Sequence, residues 1–260
     1  EGPENAVVDM TYGPDLVAGR VRPLSQGLRY GDRYLMRAGK QTWQVFEYKQ
    51  FRYLQVVVRN AATPVRIDSI SAVSYEYPAP RKGTFECSDP VLTQLWKTCV
   101  DTTYLHMEDV LICDAVRERV PWTGDGAHGL HGMYAAFGDV AITDWYFRLM
   151  SRGQLADGMF RMTYPGSEAP FGGKRASGGT VFENPVNIPQ FALFYAFFAG
   201  EHHRYFGKRE LVEDLYPALE RLMAWFERQS DASGLLYSLP NWNFTDWVAT
   251  EMRGANLETN

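Results

Sequence analysis

The hydrophobic pattern of this chain changes period once, at the segment YPAPRKG (residues 77–83), and that change limits the fold more than any other feature. Upstream, YLMRA, TWQVFEY, FRYLQVVVR and VRIDSISAVSYEY, all between Tyr34 and Tyr77, are rich in Val, Ile and Tyr with partial alternation, and are broken by GKQ and NAATP. This predicts antiparallel β structure. Two prolines, a glycine and two basic residues then give the segment at 77–83 the chemistry of a linker. Downstream the period is helical. SDPVLTQLWKTCVDTTYLHM opens on a Ser88 or Asp89 cap with Pro90 in the first turn, then sets Leu92, Leu95, Trp96 and Cys99 at three- and four-residue spacing. The same periodicity returns at 127–137, 140–150, 188–206 and 211–229, so five or six consecutive helices are expected.

The chain has 260 residues, enough for one large domain or two ordinary ones, and its 45% hydrophobic content supplies a core. A net charge of −5 gives no basic patch able to neutralise a row of phosphates, which argues against a nucleic-acid partner. No window reaches the roughly 18 apolar residues of a spanning helix, which argues against membrane insertion. Three single cysteines, Cys87, Cys99 and Cys113, have neither zinc spacing nor disulfide density and read as small buried apolar residues. The sequence opens on Glu1 without a methionine or a signal-like stretch, so its natural start is expected to lie elsewhere and no compartment follows. Aromatic residues make up 14%, with seven tryptophans. Most serve as core, but flat apolar ring faces also stack on the C–H faces of sugars, and together with surplus carboxylates they lean toward carbohydrate.

Residues 161–185, RMTYPGSEAPFGGKRASGGTVFENP, are too long and too rich in glycine and proline for an ordinary helix connection. Such loops are either functional or disordered, and here Tyr164, Phe171 and Phe182 are candidate anchors.

The densest chemistry lies in DAVRERVPWTGDGAHG, residues 114–129. Pro121 and Gly124 bar a regular helix across 117–125, so the segment is a loop entering the next helix, with Asp125 in its first turn and suited to capping it. Glu118 lies between Arg117 and Arg119, while Trp122 offers an apolar wall of the kind that raises a carboxyl pKa toward that of a general acid. Asp114 and Asp125 add acceptors for hydroxyls. Two readings stand from these residues alone: a solvated, salt-bridged loop, or a carboxylate active site.

RERVPWTGD, residues 117–125, resembles the Arg-Glu-Arg-x-Gly-Trp-Thr-Gly-Asp signature of the bacterial α-L-rhamnosidases, inverting glycoside hydrolases with an (α/α)6 barrel. GDRYLMRAGKQTWQVFEYKQFRYLQV resembles the last strands of the β-sandwich that precedes that barrel, and GTFECSDPVLTQLW its linker strand and first helix. IPQFALFYAFFAGEHHRYFGKRELVEDLYPALERLMAWF and GLLYSLPNWNFTDW resemble two later barrel segments, so the likeness covers most of residues 33–247. The implied fold is a β-sandwich segment followed by an α/α toroid of six hairpins, incomplete in this chain. The implied domains are 1–80, the end of the sandwich with its linker, and 81–260, the first half of the barrel.

The resemblance implies that Glu118 is the general acid, that Trp122 and Asp125 line the rhamnose site, and that Asp114 and Arg117 belong to the substrate-binding set. In PNWNFTDW, Trp242, Asp246 and Trp247 read either as two core tryptophans with an N-cap aspartate or as a second aromatic and carboxylate cluster, and the resemblance implies that Trp242 and Asp246 border the sugar site. The chain departs from the family in having CDAVR where Asp-Cys-Pro-Gln usually precedes the arginine, and Val120-Pro121 in place of a glycine. An inverting enzyme needs two carboxyl groups about 6.5–9.5 Å apart. The resemblance implies a base from a late loop of the barrel, expected beyond Asn260 because five or six helices already fill the stretch from Gly83; within the chain no acid is assigned the role, and Glu168, Glu183 and Glu251 are only guesses. The implied partner is a rhamnose-containing oligosaccharide or glycoside, with no cofactor. A noncatalytic carbohydrate-binding protein, or another glycosidase or lyase on the same toroid, are the alternatives. His128 and His131 lack a third ligand for a metal, His202 and His203 read as ordinary helix residues, and Asn243-Phe244-Thr245 matches a glycosylation sequon of a kind common by chance.

Overall fold

A computed structural model describes residues 1–22, 24–25, 28–114, 119–138, 141–166, 187–237 and 239–244. The chain divides into two compact units. The first comprises residues 1–75 with 114–119, the second residues 76–113 with 120–260.

The first unit is built on a three-stranded antiparallel sheet. Its central strand β1 (Val7–Gly13) pairs with β6 (Gly31–Leu35) on one side and β7 (Tyr53–Arg59) on the other. Two short hairpins, β2 (Leu16–Val17) with β3 (Arg20–Val21) and β4 (Leu24–Ser25) with β5 (Leu28–Arg29), lie between them in sequence. Register puts Val8 opposite Tyr34 and Val58, and Asp9 opposite Arg33 and Val57. Asp9 is thereby bound by two cations, Arg33 at 2.6 Å and Arg59, which hold its carboxyl below the usual range. Ala6, Val7, Tyr12, Val21 and Met36 are buried, and Phe51 packs on Tyr12 with ring centroids 5.1 Å apart.

Two strand expectations fail. TWQVFEY (42–48) and VRIDSISAVSYEY (65–77) join no ladder among the described residues, and the anchoring strand β1 precedes the stretch that reads as β. Alternation confers only a propensity, whereas a strand exists by pairing. Phe46, Ile67, Ile70 and Val73 are left exposed.

The second unit contains five helices: α1 (Pro90–Leu105), α2 (Thr123–Ala136), α3 (Ala141–Ser151), α4 (Pro189–Phe206) and α5 (Arg209–Gln229). Asp89 caps α1 by accepting from the Val91 amide at 2.8 Å, with Pro90 next to it where a missing N–H costs nothing. α4 ends on Gly207 at φ 66°, a left-handed closure in which its amide donates to His203 O at 2.7 Å. α2 packs on α1, α3 and α4, and α5 on α3 and α4. In α5 the spacing of Leu211, Leu215, Ala218, Leu222 and Trp225 lays one face on the common core, which includes Leu130, Phe137, Phe147, Phe160 and Tyr195. No described helix is long and apolar enough to cross a membrane.

Two further expectations are corrected here. Leu92, Leu95 and Cys99 do not form the buried stripe of α1: they are exposed, and Val100 carries the buried contact instead. Cys87 is also exposed, so of the three cysteines only Cys113, half-buried against an apolar cluster, has an interior contact. Helical spacing identifies a face but not which neighbour covers it.

His202 is not an ordinary helix residue. It is fully buried, with Nδ1 2.8 Å from the Tyr134 hydroxyl and Nε2 2.7 Å from Asp144 Oδ1, so one imidazole ties α2, α3 and α4 together. Since the carboxylate only accepts, Nε2 carries the proton and Nδ1 accepts from Tyr134. Burial lowers the His202 pKa from 6.5 despite the Asp144 carboxylate, which opposes it, while Lys208 and His203 add to the lowering. The unfolded chain therefore binds a proton more readily than the folded one as pH drops below about 6.5. The expected result is a melting temperature that falls on acidification below that pH, until the lowered folded value is passed. In His202→Gln, which keeps one donor and one acceptor but does not titrate, this part of the slope should be missing. Identical pH–Tm slopes in the two proteins would exclude His202 as its source.

Candidate active site

Pro121 and Trp122 pin the start of α2. Trp122 is the N-cap residue, with extended backbone (φ −91°, ψ 138°) and no side-chain cap bond. The helix therefore starts at Thr123, four residues earlier than its hydrophobic period suggests. Asp125 sits within the first turn, as expected, and is exposed; it makes no cap bond among the described residues, and its negative charge meets the positive end of the helix dipole. The segment 121–123 lies antiparallel to 162–164: Trp122 bridges Thr163, the Thr123 amide donates to Met162 O at 2.8 Å, and the Tyr164 amide to Pro121 O at 3.3 Å.

Trp122 is 5% exposed and meets Phe191 edge-on, with centroids 6.2 Å apart at 81°. Around these two rings a second apolar cluster gathers Met162 and Ile188, with Cys113, Val120, Phe194, Trp242 and Phe244 partly buried against it. The structure thus brings together Trp122 and Trp242, which lie far apart in sequence. Trp242 stacks obliquely on Phe244 at 4.5 Å, and its amide donates to Asn187 O at 3.0 Å. Asn187 is buried and its Oδ1 accepts from the Met162 amide at 3.3 Å, so this one residue links the Trp242 segment to the strand that flanks Trp122.

Buried polar residues collect here: Thr123, Asn187, Gln190 and Asn243. From sequence only Asn243 stands out, and only as part of a glycosylation sequon. Asn187 precedes Ile188-Pro189 and would pass for a helix-entry residue; nothing local announces its long-range bond. Asn243 Nδ2 donates to Leu239 O at 2.8 Å, which occupies the nitrogen a glycan would need, and its Oδ1 has no partner among the described residues.

The other expected site residues are distributed differently. Arg117, Glu118, Asp246 and Trp247 lie outside the described residues, as do Glu168, Glu183 and Glu251 and most of the 161–185 loop. Asp114 is half-buried and belongs to the first unit. So does Arg119, whose guanidinium lies 4.3 Å from the Tyr48 ring centre and donates to Tyr48 O at 3.3 Å, while Tyr48 stacks on Tyr75 at 4.5 Å. His128 packs against Phe194 at 4.4 Å, and His131 approaches Glu201 at 3.6 Å. Among the described residues no three His, Cys, Asp or Glu side chains cluster as a metal site would require.

Residues 80–260 match the bacterial α-L-rhamnosidase six-hairpin glycosidase domain. The chain belongs to this family. An α-L-rhamnosidase of Formosa agariphila is 25% identical over 242 residues, which cover 87% of this chain and 23% of that protein. The solved GH78 family rhamnosidase of Bacillus sp. GL1 superposes with a TM-score of 0.84 at 25% identity, over 98% of this chain and 25% of that one. A rhamnosidase from Klebsiella oxytoca with rhamnose bound shares the fold at a TM-score of 0.70 and 18% identity, over 96% of this chain and 48% of its own. The chain thus spans about a quarter of the first two relatives. The family's domain has six hairpins and five helices are described here, so the toroid of this rhamnosidase-family chain is incomplete within residues 1–260.

Proposed function

We propose that the protein removes terminal α-L-rhamnose from glycosides or polysaccharides by inverting hydrolysis, with Glu118 as the general acid and the general base outside residues 1–260. Residues 1–80 are then the end of a β-sandwich and 81–260 the first half of the barrel. The observation that carries this reading is the gathering of Trp122 and Trp242 into one aromatic cluster, beside which the first turn of α2 presents Asp125 to solvent. Such a surface suits a sugar, since ring faces take its C–H bonds and a carboxylate takes its hydroxyls. In this role Trp122 and Trp242 supply apolar contact. Asp125, Asp114, Arg117 and Asp246 bind hydroxyls, and Glu118 delivers a proton to the departing oxygen. Rhamnose in the Klebsiella oxytoca relative supports the choice of sugar.

The test is a panel of aryl glycosides offered to the full-length protein. Turnover of an aryl α-L-rhamnoside, with the anomeric configuration inverted in the product, is the expected result. Turnover of a different glycoside alone would overturn the substrate, retention of configuration would overturn the mechanism, and rhamnose binding without any turnover would make the protein a binder. Residues 1–260 alone are expected to show little or no hydrolysis. Efficient turnover by them would place the base within this stretch.

A further inference from the structure

The first turn of α2 is held from one side by a single residue of α3. Tyr146 is 1% exposed, and its hydroxyl donates to Thr123 O at 2.5 Å. The phenol therefore anchors the first carbonyl of α2 to α3 across 23 positions of sequence. Its ring fills the space next to Gly126, where an added Cβ would lie 2.4 Å from Tyr146 Cε2. Two residues earlier, a Cβ on Gly124 would lie 2.4 Å from Phe191. Asp125, between the two glycines, is exposed. Rotation of this turn about the helix axis would break the buried bond at Thr123 O or drive the Gly126 backbone into the ring.

We infer that Tyr146 is a positioning residue for the sugar site: its hydroxyl, bonded to Thr123 O, and its ring, packed on Gly126, fix the rotation of the first turn of α2 and so the direction in which Asp125 meets substrate. The inference rests on the rhamnoside reading for what Asp125 binds, though not for how the turn is held. Burial pushes the Tyr146 hydroxyl pKa well above 10, so it remains protonated and a donor at any physiological pH.

The fold provides a matched control. Tyr195 is equally buried and donates to a main-chain carbonyl, Phe147 O, at 2.7 Å, but it serves no part of the α2 entry. In the full-length protein, Tyr146→Phe and Tyr195→Phe each remove one buried hydroxyl and should lower the melting temperature comparably. Only Tyr146→Phe should speed amide hydrogen exchange at residues 123–127 and weaken L-rhamnose binding, each by about tenfold, while Tyr195→Phe leaves both unchanged. Equal losses of rhamnose affinity in the two variants would reduce Tyr146 to a structural role and overturn the inference, as would unchanged exchange at 123–127 in Tyr146→Phe. If the unmutated protein fails to bind L-rhamnose, the rhamnoside reading falls, and the exchange measurement still decides whether Tyr146 sets the turn.

Discussion

Glu118→Gln in the full-length protein should lower hydrolysis of an α-L-rhamnoside by about 10²–10⁴-fold, the contribution of a positioned proton donor. The size of the loss depends on the leaving group in a way that identifies the role. An activated nitrophenolate departs with little protonation, whereas an alkoxide from a sugar or alcohol needs a proton as the bond breaks, so the deficit should be small on the first and large on the second. The alkaline limb of the pH–rate profile, which reports deprotonation of the acid, should disappear in the variant. L-Rhamnose affinity should change little, because glutamine keeps the size and hydrogen-bonding capacity of the side chain. Equal deficits on both leaving groups would remove Glu118 from the role of acid and leave it a binding residue. The prediction starts from RERVPWTGD and from family membership, since Glu118 is outside the described residues.

Gly126→Val should destabilise the second unit by about 3 kcal/mol, at the upper end of the range for overpacking. A Cβ at this position falls 2.4 Å from Tyr146 Cε2 and 3.0 Å from Cζ, and the ring cannot move aside because it is enclosed and tethered to Thr123 O. For a unit of this size that energy corresponds to about 6–12 °C in melting temperature. Gly132 lies on the same helix, but its Cβ would find nothing nearer than Thr103 Oγ1 at 3.8 Å. Gly132→Val should therefore change stability by no more than about 0.5 kcal/mol, the difference in helix propensity. Calorimetry or urea denaturation of the two variants separates contact from propensity: comparable destabilisation of both would mean that the Tyr146 packing contributes nothing.

These two substitutions differ in how legible their sites were. The nine residues around Glu118 could be found by reading along the chain, because their mix of acid, arginine, proline and tryptophan fits neither helix nor strand and matches one family's motif. Asp89-Pro90 opening α1 was equally plain, since a cap and a first-turn proline interact within three residues. Tyr146 gave no such signal. In α3 it is one apolar residue among several, and its bond to Thr123 spans 23 positions. Asn187 and His202 act over 25 and 68 positions and were equally hidden.

The sequence by itself determined the change from β to helical structure, the places of the five helices and the family to which the chain belongs, because periodicity, caps and motifs are written in neighbouring residues. Only the tertiary structure decided that β1 lies at the centre of the sheet while 42–48 and 65–77 join no strand ladder among the described residues, and that Cys87, Cys99 and the Leu92–Leu95 stripe face outward. It also decided that α2 begins at Thr123, just after a Trp122 that shares a cluster with Trp242, and that Tyr146 lies behind its first turn. Each of these depends on which distant segment occupies a shared face, and pairing, burial and the rotation of a helix are properties of two segments in contact, which neither one encodes alone.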